Sequence, residues 1–218
     1  MVKGVIFDLD GTLLDSMWVW REVDITFLKN HSLPVEEDYL QALKSMNFTQ
    51  CANYTRERYS LNLTDEEMMS EWDYLAKKAY AEQVELKHGV SRYLQFLKEN
   101  GIKCAIASSC YLSLCSPTLE RHGIKEFFGA TVTRDDKPKS KEHPDIFFKA
   151  ADKLGLQAKE CVVFEDILSA VTTAKKAGFF TVGVSDPASL VERSQIMKLA
   201  DMYISDFTDP RIYGLFEV

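Results

Sequence analysis

Two carboxylates, Asp8 and Asp10, stand one residue apart where a short apolar run gives out, in Phe7-Asp8-Leu9-Asp10-Gly11-Thr12-Leu13-Leu14-Asp15. In extended chain, residues i and i+2 point the same way, so both carboxylates can face one small space. Gly11 lets the backbone turn sharply and approach a ligand. A second acidic pair, Glu165-Asp166, follows the apolar run Cys161-Val162-Val163-Phe164. Adjacent charges there repel and lose solvation unless a cation or the solvent meets them. A hard, oxygen-seeking Mg²⁺ suits such donors. Ser108 and Ser109 close the run Lys103-Cys104-Ala105-Ile106-Ala107. A hydroxyl and N–H groups entering a helix form an anion site. Lys141 offers an ammonium that could balance two aspartates and a phosphate, with Lys137 and Lys139 competing for that role.

These segments must be brought to one place, and the pattern of elements does so. Residues 2–9 read as a buried strand. After His88-Gly89 helices and strands alternate: helix 90–100, strand 103–108, helix 112–121, strand 130–133, helix 145–154 behind Pro144, strand 161–164, helix 168–177, strand 180–184, helix 188–199 and an edge strand 202–204. Continuous apolar strands alternating with helices predict an α/β fold whose parallel sheet is covered on both faces. Ligands of such sheets sit beyond the carboxyl ends of the strands, where all four segments fall. Residues 16–86 differ in texture. Pro34 is the only proline there and glycine is absent, while apolar residues recur at helical spacing in Trp20, Val23, Phe27 and Leu28, then Met68, Trp72, Leu75 and Ala79. Thr64-Asp65-Glu66-Glu67 has the pattern of a capping box. The expected organisation is a core of 1–15 with 87–218 and an all-helical insert of 16–86.

The chain has 218 residues and a net charge of −7, with 46% hydrophobic and 27% charged residues. That is an ordinary globular composition. Residues 16–86 carry 7 Lys+Arg against 13 Asp+Glu, a net of −6, and the rest carry 19 against 20, a net of −1. An acidic surface argues against nucleic-acid binding and gives no long-range attraction for an anion, which must be held locally. Five cysteines, none in a CxxC pair, point to reduced thiols in the cytoplasm. No apolar run approaches the ~20 residues of a membrane span, and a strand rather than a signal peptide opens the chain. The sequon matches at Asn47, Asn53 and Asn62 are therefore read as helix and turn chemistry only.

The segments FDLDGTLLDS (7–16), IASS (106–109), KEHPDIF (141–147) and FEDILSAVTTAKKAG (164–178) resemble the haloacid dehalogenase superfamily, in its phosphatase and β-phosphoglucomutase-like branch. The likeness covers nearly the whole chain. It implies a Rossmann-like core with an inserted helical cap, and a Mg²⁺-dependent phosphohydrolase cleaving a small phosphomonoester through an aspartyl-phosphate. It implies Asp8 as nucleophile and Asp10 as general acid and then base. Mg²⁺ would lie on Asp8, the Asp10 carbonyl and Asp166, with Glu165 close by. Ser108, the N–H of Ser109 and Lys141 would bind the phosphoryl group. Dehalogenases of the superfamily lack the second aspartate, so the presence of Asp10 argues against carbon–halogen cleavage.

The chain departs from the pattern at Ile167 and Ala170, where the family often has Ser and Gly, and at Glu142, where it usually has Pro. Trp20 and Phe48 stand where the mutases carry a histidine and an arginine. A sugar phosphomutase is accordingly the alternative reading, and a non-catalytic binding protein on the same scaffold a further one. Residues 43–48, with Lys44 and Asn47, form the expected substrate loop, and Trp20 could wall the site. The implied partner is a small phosphorylated alcohol or sugar, with no nucleic acid and no membrane, and a monomer is expected.

Overall fold

The computed structural model describes residues 1–43, 46–138 and 141–216. Lys44, in the expected substrate loop, and Lys139, a competitor of Lys141, lie outside the described residues. Two compact units are present: Met1–Met17 with Val84–Val218, and Trp18–Gln83. The sequence reading set the insert at 16–86. The narrower division arises because β2 (Leu14–Asp15) pairs antiparallel with β3 (Glu85–Leu86), tying both chain crossings into the first unit.

The first unit is built on a six-stranded sheet of β1 (Gly4–Phe7), β4 (Lys103–Ala107), β5 (Phe128–Val132), β6 (Cys161–Glu165), β7 (Phe180–Val184) and β8 (Met202–Ile204), in the order β5-β4-β1-β6-β7-β8. Every pairing is parallel. The chain works outward from β1 on one side and then on the other, so the switch in direction lies at β1, where such sheets place their ligands. Each residue of β1 is buried, as a strand covered on both faces requires. On one face Ile6, Ala105, Val132 and Val163 pack with Ile146, Phe147 and Ala150 of α7 (Asp145–Leu154). On the other an aromatic cluster forms. Phe7 and Phe164 are in register, their rings 5.1 Å apart, and Tyr93 and Phe207 close around them. The residues just before Asp8 and Glu165 are thus anchored in the core.

The other helices of this unit are α5 (Val90–Glu99), α6 (Leu112–Arg121), α8 (Leu168–Lys176), α9 (Arg193–Leu199) and the short α10 (Pro210–Tyr213). The expected single helix over 188–199 is interrupted. Asp186 accepts the N–H of Ala188 and opens one 3₁₀ turn, Pro187–Ser189, and the α-helix starts only at Arg193. The first strand is shorter than expected. The strand expected at 130–133 begins two residues earlier, where Phe128 pairs with Cys104.

The second unit is all-helical, with α1 (Val19–Asn30), α2 (Glu37–Leu43), α3 (Phe48–Tyr59) and α4 (Asp65–Glu82). Trp72 is its hub, ring to ring with Phe27 and Phe48 at 5.4 Å each. The capping box is formed: Thr64 Oγ1 accepts the N–H of Glu67, and Glu67 accepts the N–H of Thr64 at 2.8 Å. None of the helices among the described residues is long and apolar enough to cross a membrane. Replacing Thr64 by Ala frees the N–H of Glu67 at the start of α4 and is expected to cost about 1 kcal/mol in urea unfolding. No change in the midpoint would mean the cap is idle.

Candidate active site

Asp8 and Glu165 reach one another through strand register. Phe7 pairs with Phe164, and the N–H of Asp8 donates to the Phe164 carbonyl at 3.0 Å, so the next residue of each strand emerges at the same edge. Oxygens of Asp8, Glu165 and Asp166 all lie within 4.8 Å of one another, and all three residues are buried. Lys141 enters this cluster as its cation. Its ammonium donates to Asp8 Oδ1 and, at 2.6 Å, to Glu165 Oε2. Of the competing lysines, Lys137 caps a 3₁₀ turn at φ +49° and is exposed. Glu165 also accepts the N–H groups of Asp166 and Ile167, each at 3.2 Å, on its other oxygen.

Asp10 is held separately. Its Oδ1 accepts the hydroxyl of Ser16 at 2.6 Å, and the residue is half-buried. Thr12 Oγ1 donates to Asp166 at 3.1 Å, binding the first loop to the fourth segment. Gly11 has φ +80°, and a Cβ there would come within 2.4 Å of Asp166 Oδ2. The turn therefore needs glycine both for its backbone and for the space beside the cluster.

Ser108 is buried just past β4, beside β1 in the sheet, and its hydroxyl oxygen accepts the N–H of Cys110 at 3.0 Å. Ser109 is exposed, and its N–H has no partner among the described residues. The N–H that opens α6, on Leu112, is taken by Asp135 at 2.8 Å. The N–H of Ser109, rather than that of Leu112 at the helix start, is therefore left open to an anion.

The sequence reading missed Ser16 and Thr12 as orienting groups, although both lie inside the first motif. It also missed a buried ion pair behind the cluster. Lys87 donates to Asp186 at 2.7 Å and to the Ser185 carbonyl at 2.6 Å, and the Asp186 charge is felt at Asp166. No motif marked either residue. In the helical unit, Asn47 is the N-cap of α3 in a reciprocal box with Gln50, and Trp20 packs edge-on against Phe48 at 5.9 Å. Asp24 on α1, unmarked by any pattern, is pushed by burial up to about 7.

The electrostatics follow from burial. Desolvation, then repulsion from Glu165, pushes the Asp8 carboxyl up to about 8 despite Lys141. Burial, Glu165 and Asp8 push Asp166 up to about 9. Burial also disfavours the Lys141 ammonium, but the charges of Asp8 and Glu165 outweigh it and hold that pKa above the ordinary lysine range. One ammonium thus stays charged among three buried carboxylates and cannot neutralise them all. The deficit, and an all-oxygen donor set, fit a hard divalent cation.

Comparison with known proteins agrees with this arrangement. The sequence pattern of the haloacid dehalogenase-like hydrolases matches residues 5–184. The chain belongs to that family. It is 30% identical over 183 residues to a Bacillus subtilis protein described as a candidate phosphatase, YhcW, covering 82% of this chain and 81% of that one. It is 29% identical over 230 residues to the beta-phosphoglucomutase of the same organism, covering 99% and 95%. A crystal structure from Thermotoga maritima, described as a candidate beta-phosphoglucomutase, superposes with a TM-score of 0.86 at 24% identity, covering 99% of this chain and all of that one. The Rossmann-like core and helical insert implied by the motifs are those of the family.

Two outcomes test the site. Metal-free, the folded protein keeps protons on Asp8 and Asp166 that an unfolded chain, with carboxyls at 3.8, has released. Its stability therefore falls as pH rises from about 4 toward 9. Divalent metal binding at pH 7 then expels protons, so affinity tightens up to about pH 9. Calorimetry in buffers of different ionisation enthalpy reads this directly, and affinity independent of pH between about 6 and 9 refutes it. Gly11→Ala is expected to weaken metal binding by roughly tenfold or more while leaving the circular dichroism unchanged.

Proposed function

We propose that this hydrolase is a Mg²⁺-dependent phosphatase of small phosphomonoesters that works through an aspartyl-phosphate on Asp8. The observation that carries the reading is the buried cluster of Asp8, Glu165 and Asp166 with Lys141 clamped inside it, next to a separately held Asp10. Asp8 and Asp166 would hold the cation. Glu165, with one oxygen on Lys141 and the other on two backbone N–H groups, positions that lysine and the turn. When bound, Mg²⁺ supplies positive charge against the phosphoryl oxygens and keeps Asp8 ionised.

The Asp8 carboxylate attacks phosphorus, and the bond to the alcohol oxygen breaks. Asp10, oriented by Ser16, gives its proton to that oxygen and the alcohol leaves. Asp10 then takes a proton from water, which attacks the aspartyl-phosphate and releases inorganic phosphate and free Asp8. Lys141, the Ser108 hydroxyl and the Ser109 N–H hold the phosphoryl oxygens. Charge neutralisation and positioning supply most of the acceleration in such transfers.

Hydrolysis is favoured over phosphate transfer within a sugar because Trp20 and Phe48, packed on each other, stand where the mutases bear charged side chains. The substrate class we infer is a small phosphorylated alcohol or sugar with a weakly polar remainder, with Trp20, Asn47 and Lys44 as specificity residues. A monomer in the cytoplasm accords with five free cysteines and the acidic charge. Phosphate release from a panel of phosphomonoesters is expected with Mg²⁺, and is lost with a chelator. Asp8→Asn should lower it at least roughly a thousandfold. Equal rates for both proteins would remove Asp8 as nucleophile.

A further inference from the structure

The strands β2 and β3 form a two-stranded ribbon separate from the main sheet, and the loop of Asp10 hangs on it. Gly11 donates its N–H to the Leu14 carbonyl at 3.0 Å, and Leu14 pairs with Leu86. Ser16, which orients Asp10, lies one residue past β2. The residue after β3 is Lys87. Its N–H donates to the Leu13 carbonyl at 2.9 Å. Its ammonium donates to Asp186 Oδ2 at 2.7 Å and to the Ser185 carbonyl at 2.6 Å. The Lys87 side chain is 10% exposed and that of Asp186 0%. Ser185 and Asp186 directly follow β7, whose Gly183 pairs with Glu165. Asp186 is itself fixed, since its other oxygen accepts the N–H of Ala188 at 2.8 Å. One lysine thus grips the ribbon by its backbone and the edge of the main sheet by its side chain. Desolvation offsets much of the attraction in such a buried pair, so the pair serves geometry more than stability.

We propose that Lys87 is a positioning residue for proton transfer. Clamped on Asp186, it holds the ribbon, and with it Ser16 and Asp10, where the leaving oxygen must receive its proton. The role rests on the phosphatase reading. A misplacement of about 1 Å in a reacting group can cost on the order of a hundredfold in rate. Loss of the clamp therefore falls on the step that Asp10 serves more than on the attack by Asp8, which the register of β1 and β6 fixes independently. The ribbon has a second tie one residue on, where the His88 carbonyl accepts the N–H of Phe207 at 3.0 Å. The ammonium is thus a matter of alignment rather than the sole attachment of this segment.

The Mg²⁺-loaded full chain and its Lys87→Met variant are compared in single turnovers on two esters. One is p-nitrophenyl phosphate, whose phenolate leaves without a proton. The other is propyl phosphate, whose alkoxide needs one. In Lys87→Met, release of propanol is expected to slow by roughly tenfold or more, while release of p-nitrophenolate falls far less. A merely structural role slows both alike. Should Lys87→Met fold poorly, Lys87→Met combined with Asp186→Asn removes the unpaired buried charge and leaves an acceptor for Ala188. That protein should show the same selective loss. Equal losses on both esters, or a loss on neither, overturn the role. A wild-type chain that cleaves no ester overturns the phosphatase reading, and this role falls with it.

Discussion

Like charges gathered out of water organise this molecule. The register of β1 and β6 brings Asp8 and Glu165 to one edge, and the turn after β6 adds Asp166. Such an assembly is unfavourable alone, and burial lifts the carboxyls of Asp8 and Asp166 far above their ordinary range. The surrounding features answer that repulsion. Lys141 bridges two members, Thr12 ties the third to the first loop, and Gly11 leaves room at the cluster's side. An all-oxygen cluster whose protons a cation can displace suits a hard metal ion.

Holding such a cluster needs a stiff frame. The parallel sheet provides it by placing bulky rings directly beneath the carboxylates, with Phe7, Phe164, Tyr93 and Phe207 filling the face under the site. Asp10 turns instead to Ser16, so the two carboxylates of the first motif sit in different surroundings. Different partners of that kind would suit such a pair to different parts in the proposed chemistry.

The gathering of the candidate residues was legible wherever they are contiguous. Asp8, Asp10 and Gly11 stand in one motif, and Glu165-Asp166 close an apolar strand, so periodicity alone put them at one end of the sheet. Lys141 was less distinct because Lys137 and Lys139 lie in the same irregular stretch, where no period tells which side chain turns inward. The ion pair of Lys87 and Asp186 joins residues 99 apart, and nothing local announces it. The helix over 188–199 was misjudged because Asp186 and Pro187 prefer to open a short turn of their own.

The aromatic ladder beneath the carboxylates also bears on how such a protein can diversify. Phe7 and Phe164 are fully buried and adjoin Asp8 and Glu165, so an altered side chain there is felt at once by the reacting groups. Trp20 and Phe48 are each more than a third exposed and belong to the helical unit, which contributes no member of the acidic cluster. Variation is therefore mechanically constrained beneath the sheet edge, where close packing passes any change in volume to the neighbouring carboxylates, and less so at the exposed rings of the helical unit.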